Sequence, residues 1–308
     1  MEERLRFPIP DHLAGERADK VVAELAGISR QASRRLFELG VVVDGSAVEP
    51  NRRLTTGMIE FVAPVGEDLL AAEEVAFTVV HEDAHLLVVD KPAGLVVHPG
   101  AGRHTGTLAG GLLYRYPDLE GVGEAGRWGI VHRLDQGTSG LLLVARNPPA
   151  HLRLVADLRD HRIHRSYLTL VHGVPDMPTG TIDAPIGRDP VHPTRKKVIA
   201  GGRPSRTHYR VQRDHQVAAL LDVDLETGRT HQIRVHLAAI DHPVIGDRTY
   251  TRRRDPVPVR RMFLHAHRLR FVHPVLGSEI TIESGLPPEL EAVMVELERV
   301  YPGRAVST

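Results

Sequence analysis

The chain has 308 residues, 42% of them hydrophobic and 25% charged, with a formal net charge of zero, the composition of an ordinary globular protein long enough for two domains. It contains no cysteine, which excludes disulfides, thiolate nucleophiles and cysteine-ligated zinc or iron–sulfur centres. Any nucleic-acid surface must come from local clustering of charge; with no signal-peptide pattern in "MEERLRFPIPDHLAGER" and no apolar run near the roughly 20 residues of a membrane span, a cytoplasmic monomer without a membrane partner is the default expectation.

In chain order, "ERADKVVAELAG" carries Val21, Val22 and Leu25 at helical spacing with Gly27 as a stop. "SRQASRRLFELG" follows as a second helix, with Ser29 as N-cap, Leu36 and Leu39 as the buried stripe and Gly40 closing it. "VVVDGSAVEPNRRLTTGMIEFVAP" alternates β-branched residues around Asp44-Gly45, a hairpin signal. Residues 1–63 thus form one small unit, and the acidic stretch 64–77 reads as a linker. From Thr78 the texture changes to β-branched runs punctuated by Gly and Pro. Two strands lead to Lys91-Pro92, "TLAGGLLYRY" is helical, "LLLVARN" is a strand, and "AHLRLVADLRDHR" is an amphipathic helix. "RSYLTLVHG", "SRTHYRVQR" and "VAALLDVDLE" are strands, while "THQIRVHLAAI" and "PPELEAVMVELERVY" are helices. Strands in hairpin-like succession with interspersed helices predict an α+β second domain, 78–308, around a mixed, mainly antiparallel sheet.

Polar islands interrupt the apolar strands, as loops displaying a site on a rigid scaffold do. "GIVHRLDQGTSGLLLVARN" sets His132, Arg133, Asp135, Thr138 and Ser139 directly before a buried strand. "HRSYLTLVHG" places Tyr167 beside basic residues, "DKPAGLVVHPG" joins a Lys-Pro turn to His98, and "ETGRTHQIRVH" gathers Gly228, Arg229, Thr230, His231 and Arg234 at a helix start, where exposed amides favour anions. Each has a plain structural explanation: Asp and Thr capping turn amides, Thr230 as an N-cap, Tyr167 as a core aromatic, Lys91 as a turn residue. In the first unit Arg30 and Arg34 share a helix face with Arg35 one position round, either a solvated face or a phosphate-contacting one. Further basic clusters, Arg153, Arg159, Arg162 and Arg165, then Arg195, Lys196, Lys197, Arg203 and Arg206, are candidate phosphate tracks.

The first unit resembles the small RNA-binding domain named after a ribosomal protein of the small subunit, through "SRQASRRLFELGVVVDGSAVEPNRRLTTG". It departs from that pattern at Asp44, where Asn is usual, and at Met58, where Asp is usual. The resemblance implies that the helix bearing Arg30, Arg34 and Arg35 meets RNA. Residues 76–288 resemble the RluA/RluD-type pseudouridine synthases, the RluD-like branch in particular. "HRLDQGTSG" carries every specified position of that family's signature, and "KPAGLVVHPG", "HRSYLTLVHG", "APIGRDP", "GRTHQIRVHLAAIDHPVIGD" and "LHAHRLRFVHP" follow its flanking blocks in order. Val198 stands where Met is more usual.

This second resemblance implies isomerisation of uridine to pseudouridine in structured RNA, most naturally large-subunit ribosomal RNA, with transfer RNA as the alternative. The base leaves ribose carbon-1 through nitrogen-1, turns and rejoins through carbon-5, chemistry that requires neither metal nor cofactor. Asp135 takes the family's catalytic position, adding at carbon-1 or removing the carbon-2 proton. Tyr167 lies against the base, and Arg234 pairs with Asp135. Arg133 fills the space that the extruded uridine leaves, while His132, Thr138 and Arg229 join it in RNA contact. Three other classes compete with this one. A metal hydrolase draws on some of the nineteen histidines, with His265 and His267 plus His231 or His236, but no HExxH-type motif accompanies them. A non-catalytic RNA-binding protein has no use for Asp135, Tyr167 and Arg234 together. A glycosidase usually needs two facing carboxylates, and only Asp135 stands out.

Overall fold

A computed structural model describes residues 4–26, 28, 30–63, 72–98, 105–123, 127–192 and 194–306. The chain divides into two compact units, the first made of residues 1–76, 96–130 and 146–148 and the second of 77–95, 131–145 and 149–308. Residues 96–130, which the sequence grouped with everything after Thr78, cluster with the first unit. Of the acidic stretch expected to be a linker, 64–71 lie outside the described residues, as do Gly27 and Ser29.

Within the first unit, the helices Ala18–Leu25 and Arg30–Glu38 accompany a four-stranded sheet. Val21, Val22, Leu36, Ile59 and Phe61 meet in its core, where burying each large side chain contributes roughly 1.5–3 kcal/mol. Leu39, expected in the buried stripe, is 48% exposed. The helix has ended at Glu38, and the half-buried Phe37 packs on the core instead. The strands Val42–Val43 and Ser46–Ala47 form the expected hairpin through Asp44 and Gly45. The two departures from the family pattern touch one another here: Asp44 Oδ1 accepts the Met58 amide at 2.9 Å, and the Asp44 amide donates to Met58 O at 3.0 Å. A strand the sequence reading left out, Arg4–Pro8, pairs antiparallel with Met58–Val62. In the same unit, the helix Leu108–Arg115 starts at Thr107, whose hydroxyl accepts the Gly110 amide.

The second unit is built on a ten-stranded sheet. From one edge the strands run Arg304–Ala305, Arg206–Asp214, Ala218–Leu225, His164–His172, Leu264–Val272, Ser139–Ala145, Leu86–Lys91 and Thr78–Glu82. Glu279–Glu283 adds to Leu264–Val272, and Thr179–Asp183 to Arg206–Asp214. The one parallel pairing in this sheet joins Leu264–Val272 to Ser139–Ala145, so the sheet is mixed and mainly antiparallel. Ser139–Ala145 is buried at every position, which is why it reads as an unbroken apolar run rather than an alternation. Gly140 sits where a Cβ would come within 2.2 Å of Ala266 O, so only glycine lets the strand meet its parallel neighbour. On His164–His172 the period of two sends Arg165, Tyr167 and Thr169 to one face and Ser166, Leu168 and Leu170 to the other. The closing helix Pro288–Val300 packs Leu290, Val293 and Leu297 against Leu170, Ala218 and Phe263. No helix among the described residues is long and apolar enough to cross a membrane.

Candidate active site

The polar loop before Ser139–Ala145 is pinned from below. His132 is nine-tenths buried, and its Nε2 accepts the Leu143 amide at 3.2 Å. Burial, reinforced by the Arg165 charge, pushes its pKa down to about 3, so the ring is neutral. This residue is a strut of the loop and is not among the residues that line the pocket above it. Lys91, fully buried, donates to the carbonyls of Pro92 and Leu95 at 2.9 Å and reaches Gln136 O at 3.4 Å. Burial lowers its pKa to about 8. The Gly94 amide also bonds Gln136 O at 2.8 Å. On the other side of the loop, Arg261 donates to Ser139 Oγ at 2.8 Å. The residues flanking Asp135 are therefore tied to two neighbouring segments, and the apolar strand serves as their anchor.

Asp135 stands above this base with its side chain 17% exposed. Arg234, on the helix Gln232–Ala239, directs Nη1 to Asp135 Oδ2 at 3.3 Å. The guanidinium is itself fixed by Asp247, which accepts Nε at 2.7 Å and Nη2 at 3.0 Å in a two-pronged pair. Burial opposes ionisation of Asp247, but the Arg234 hydrogen bonds and charge, with the amides of Thr249 and Tyr250, outweigh it and hold its carboxyl below the usual range. Tyr250 lies under the guanidinium, 4.9 Å from ring centre to Cζ.

Tyr250 also orders His231. Its hydroxyl accepts the Lys196 amide at 3.0 Å and lies 2.8 Å from His231 Nδ1. The other ring nitrogen, Nε2, faces Asp135 Oδ2 at 3.9 Å. Burial lowers the His231 pKa, and the Asp135 charge opposes that. His231 occupies the position before the helix in the left-handed backbone region, φ 59°. Thr230 is therefore not the N-cap, and the Arg229 amide is taken by Gln232 Oε1 at 3.0 Å. Arg234 and His231 both approach Oδ2, and the other carboxylate oxygen meets no partner among the described residues.

Arg133, Asp135, Thr138, Tyr167, Arg229 and Arg234, six residues expected from sequence, line one pocket together with Arg165 and His231. Tyr167 is buried, which raises its phenol pKa, while the neighbouring Arg165 charge draws it down. Sequence reading assigned no role to Asp247, the last residue of the block "GRTHQIRVHLAAIDHPVIGD", and did not single out Tyr250. Their signal was available in "GDRTY", which closes the polar block begun at Arg229, but a partner thirteen residues along is identified only once the helix has turned back.

The chain is similar to known proteins along most of its length. Residues 85–239 match the family model described as RNA pseudouridylate synthase. A ribosomal large subunit pseudouridine synthase D from Nitrosomonas europaea is 42% identical, covering 99% of this chain and 91% of its own. The chain belongs to the RNA pseudouridine synthase family. A relative of the same name from Pseudomonas aeruginosa is 39% identical over 91% of this synthase and 92% of its own length. Among solved structures, human RNA pseudouridylate synthase domain containing 1 superposes with a TM-score of 0.58 at 28% identity, covering 76% of this chain and 91% of the human one.

Elsewhere in the synthase the expected basic tracks are less positive than a count of arginines suggests. Arg153 and Arg162 both pair with Asp157, and Arg159 and Arg162 with Asp160. Arg206 is bound by Asp183 and Glu226. His265 and His267, considered as metal ligands, are engaged apart: His265 with Ser139 Oγ, His267 with Asp222. In the first unit Arg30 and Arg34 reach Asp19 at 2.8 and 3.3 Å, and Arg17 grips the same carboxylate through Nε and Nη2. Asp19 is buried, which opposes its ionisation, yet Arg17 and Arg30 hold it below the usual carboxylate range. Three guanidinium groups around one carboxylate leave a net positive face, with Arg30 and Arg34 each more than half exposed. Arg35 is exposed on the same helix.

Proposed function

We propose that this synthase isomerises uridine in large-subunit ribosomal RNA in the cytoplasm, with Asp135 acting at the ribose. The observation that carries the reading is the clamp on Asp135: one oxygen is held by Arg234, itself fixed by Asp247, while the carboxylate borders the pocket that Tyr167 lines. A carboxylate oriented in this way can add to ribose carbon-1 or accept the carbon-2 proton without reorganising. Tyr167 stacks on the uracil and takes part in removing the carbon-5 proton, and Arg133, at the rim, occupies the gap left by the extruded nucleotide. Thr138 and Arg229 complete the contact with RNA. The ribosomal assignment is supported by the names of the Nitrosomonas and Pseudomonas relatives.

The test is tritium release from RNA labelled at uridine carbon-5, with ribosomal and transfer RNA in parallel. Release from ribosomal RNA is expected; release from transfer RNA alone overturns the substrate, and release from neither overturns the activity.

The first unit serves as a second grip through Arg30, Arg34 and Arg35. Replacing Arg30 and Arg34 together by Ala is expected to weaken RNA binding and lower the slope of log affinity against log salt by about 1–2, while leaving the rate at saturating RNA unchanged. Arg17 keeps Asp19 paired in that variant, so the unit stays folded. Binding titrations at several salt concentrations measure the slope, and an unchanged slope removes the helix from the interface.

A further inference from the structure

Two arginines are buried among the described residues, and they are treated very differently. Arg234, 8% exposed, meets two carboxylates. Arg165 is 6% exposed and pairs with no carboxylate among the described residues. Its Nε has no hydrogen-bond partner, and Nη2 makes only long contacts, 3.4 Å to Glu226 O and 3.5 Å to Leu225 O. A Cβ on Gly228 would come within 2.7 Å of its Nη1, so the chain has left room for the guanidinium. A buried cation without a counter-charge is costly, and this one lines the pocket, on the same strand face as Tyr167 and two residues before it. A fold that tolerates such a group is expected to draw an anion to it.

The anion is supplied by the reaction, if the activity proposed above is right. When the bond between ribose carbon-1 and uracil nitrogen-1 breaks, its electron pair leaves with the base, and carbon-1 is satisfied by an Asp135 oxygen or by the electrons freed when the carbon-2 proton passes to Asp135. The detached uracil carries one negative charge spread over nitrogen-1 and the two carbonyl oxygens. That charge is discharged when carbon-5 bonds to carbon-1, as the Asp135 oxygen departs with its electron pair or as Asp135 returns its proton to carbon-2; loss of the carbon-5 proton and protonation of nitrogen-1 then complete the isomer with no net proton change. We infer that Arg165 is a catalytic residue that pairs with the uracil anion through a carbonyl oxygen, stabilising charge present during the rearrangement and absent from bound uridine. Its position beside Tyr167, on the face where the base lies, favours the uracil over a backbone phosphate as the partner.

The experiment compares Arg165→Met with the wild-type chain under single turnover at saturating RNA, on uridine and on 5-fluorouridine at the target site. The readout is disappearance of the nitrogen-1-linked nucleoside after digestion. Fluorine withdraws electrons and stabilises the uracil anion without Arg165. Arg165→Met is expected to slow uridine by about 10²–10³-fold, the cost of removing one preorganised donor to a developing anion, and 5-fluorouridine by at least tenfold less. Arg165→Lys is expected to recover part of the loss. RNA affinity should stay within about threefold, and thermal stability should be equal or higher, because an unpaired buried cation has been replaced by an apolar group. Arg165→Gln gives the same comparison if Arg165→Met does not fold. An equal loss on both nucleotides, no loss, or a loss of affinity with an unchanged saturated rate overturns the inference, the last pointing to a phosphate contact. Failure of the wild-type chain to convert uridine overturns the activity itself, a result separable from all of these.

Discussion

Asp135→Asn should stop isomerisation while leaving RNA affinity within about twofold of the wild type. The substitution replaces one carboxylate oxygen by an amide nitrogen at constant volume, so the loop keeps its ties through Lys91, Gln136 and Ser139. Two reactive properties disappear together: the anionic oxygen that can add to carbon-1, and the basicity needed to take the carbon-2 proton. A loss on the order of 10⁴-fold or more is expected, the upper range for a group that takes direct part in proton or covalent transfer. The new amide also has a preferred orientation. Both Arg234 Nη1 and His231 Nε2 approach Oδ2 of Asp135, so the remaining side-chain oxygen is expected to stay on that side and the nitrogen to take the reactive position. Carbon-5 tritium release and an RNA titration on the same preparation decide the matter: appreciable turnover, or binding lost in step with activity, would remove Asp135 from the chemistry.

How the sequence and the folded chain correspond depends on the range of the interaction. Local pattern was enough to locate the loop "HRLDQGTSG" against a buried strand, the hairpin at Asp44-Gly45 and the helix bearing Arg234, because turn chemistry and apolar periodicity act over a few residues. The blocks carrying Asp135, Tyr167 and Arg234 also proved to converge on one pocket. That His132 points inward is not legible in the loop, because neither periodicity nor composition says which of its residues do; its bond to Leu143 does. Short strands such as Thr179–Asp183 and Glu279–Glu283 hold only one or two apolar residues each and are defined by the neighbours they add to. The arginine tracks have part of their charge offset by Asp157, Asp160, Asp183 and Glu226, partners that a count of basic residues ignores. Asp19 and Asp247 share a further lesson. Each is a buried carboxylate that organises arginines proposed for RNA or catalysis, and each resembles an ordinary acidic residue until the arginines are placed around it.

Arg234→Ala should damage the fold and the chemistry together, with a pH signature that separates charge from packing. The Asp247 side chain is 1% exposed, and losing the two-pronged partner leaves it buried and uncompensated. Breaking such a pair is expected to cost about 3–5 kcal/mol at neutral pH. In the wild-type chain Asp247 titrates below its ordinary value. Its stabilisation is therefore fully present above the unfolded carboxylate pKa, and is lost as pH falls through the lower folded value. Without Arg234, burial dominates and the sign reverses, so the variant regains stability as the carboxyl takes up a proton. The gap between wild type and variant in urea unfolding should thus be wide at pH 7 and narrow at about pH 4. A gap of equal width at both values would assign the loss to packing against Tyr250 rather than to charge. At pH 7, on the fraction that remains folded, the single-turnover rate should fall by about 10²-fold or more, the penalty for a catalytic group no longer held in its reactive geometry. Arg234→Lys keeps the charge but has no fork to span both Asp247 oxygens and still reach Asp135, so it should recover much of the stability at pH 7 and little of the rate. Recovery of both in equal measure would mean that the clamp serves the fold alone and that Asp135 finds its orientation elsewhere.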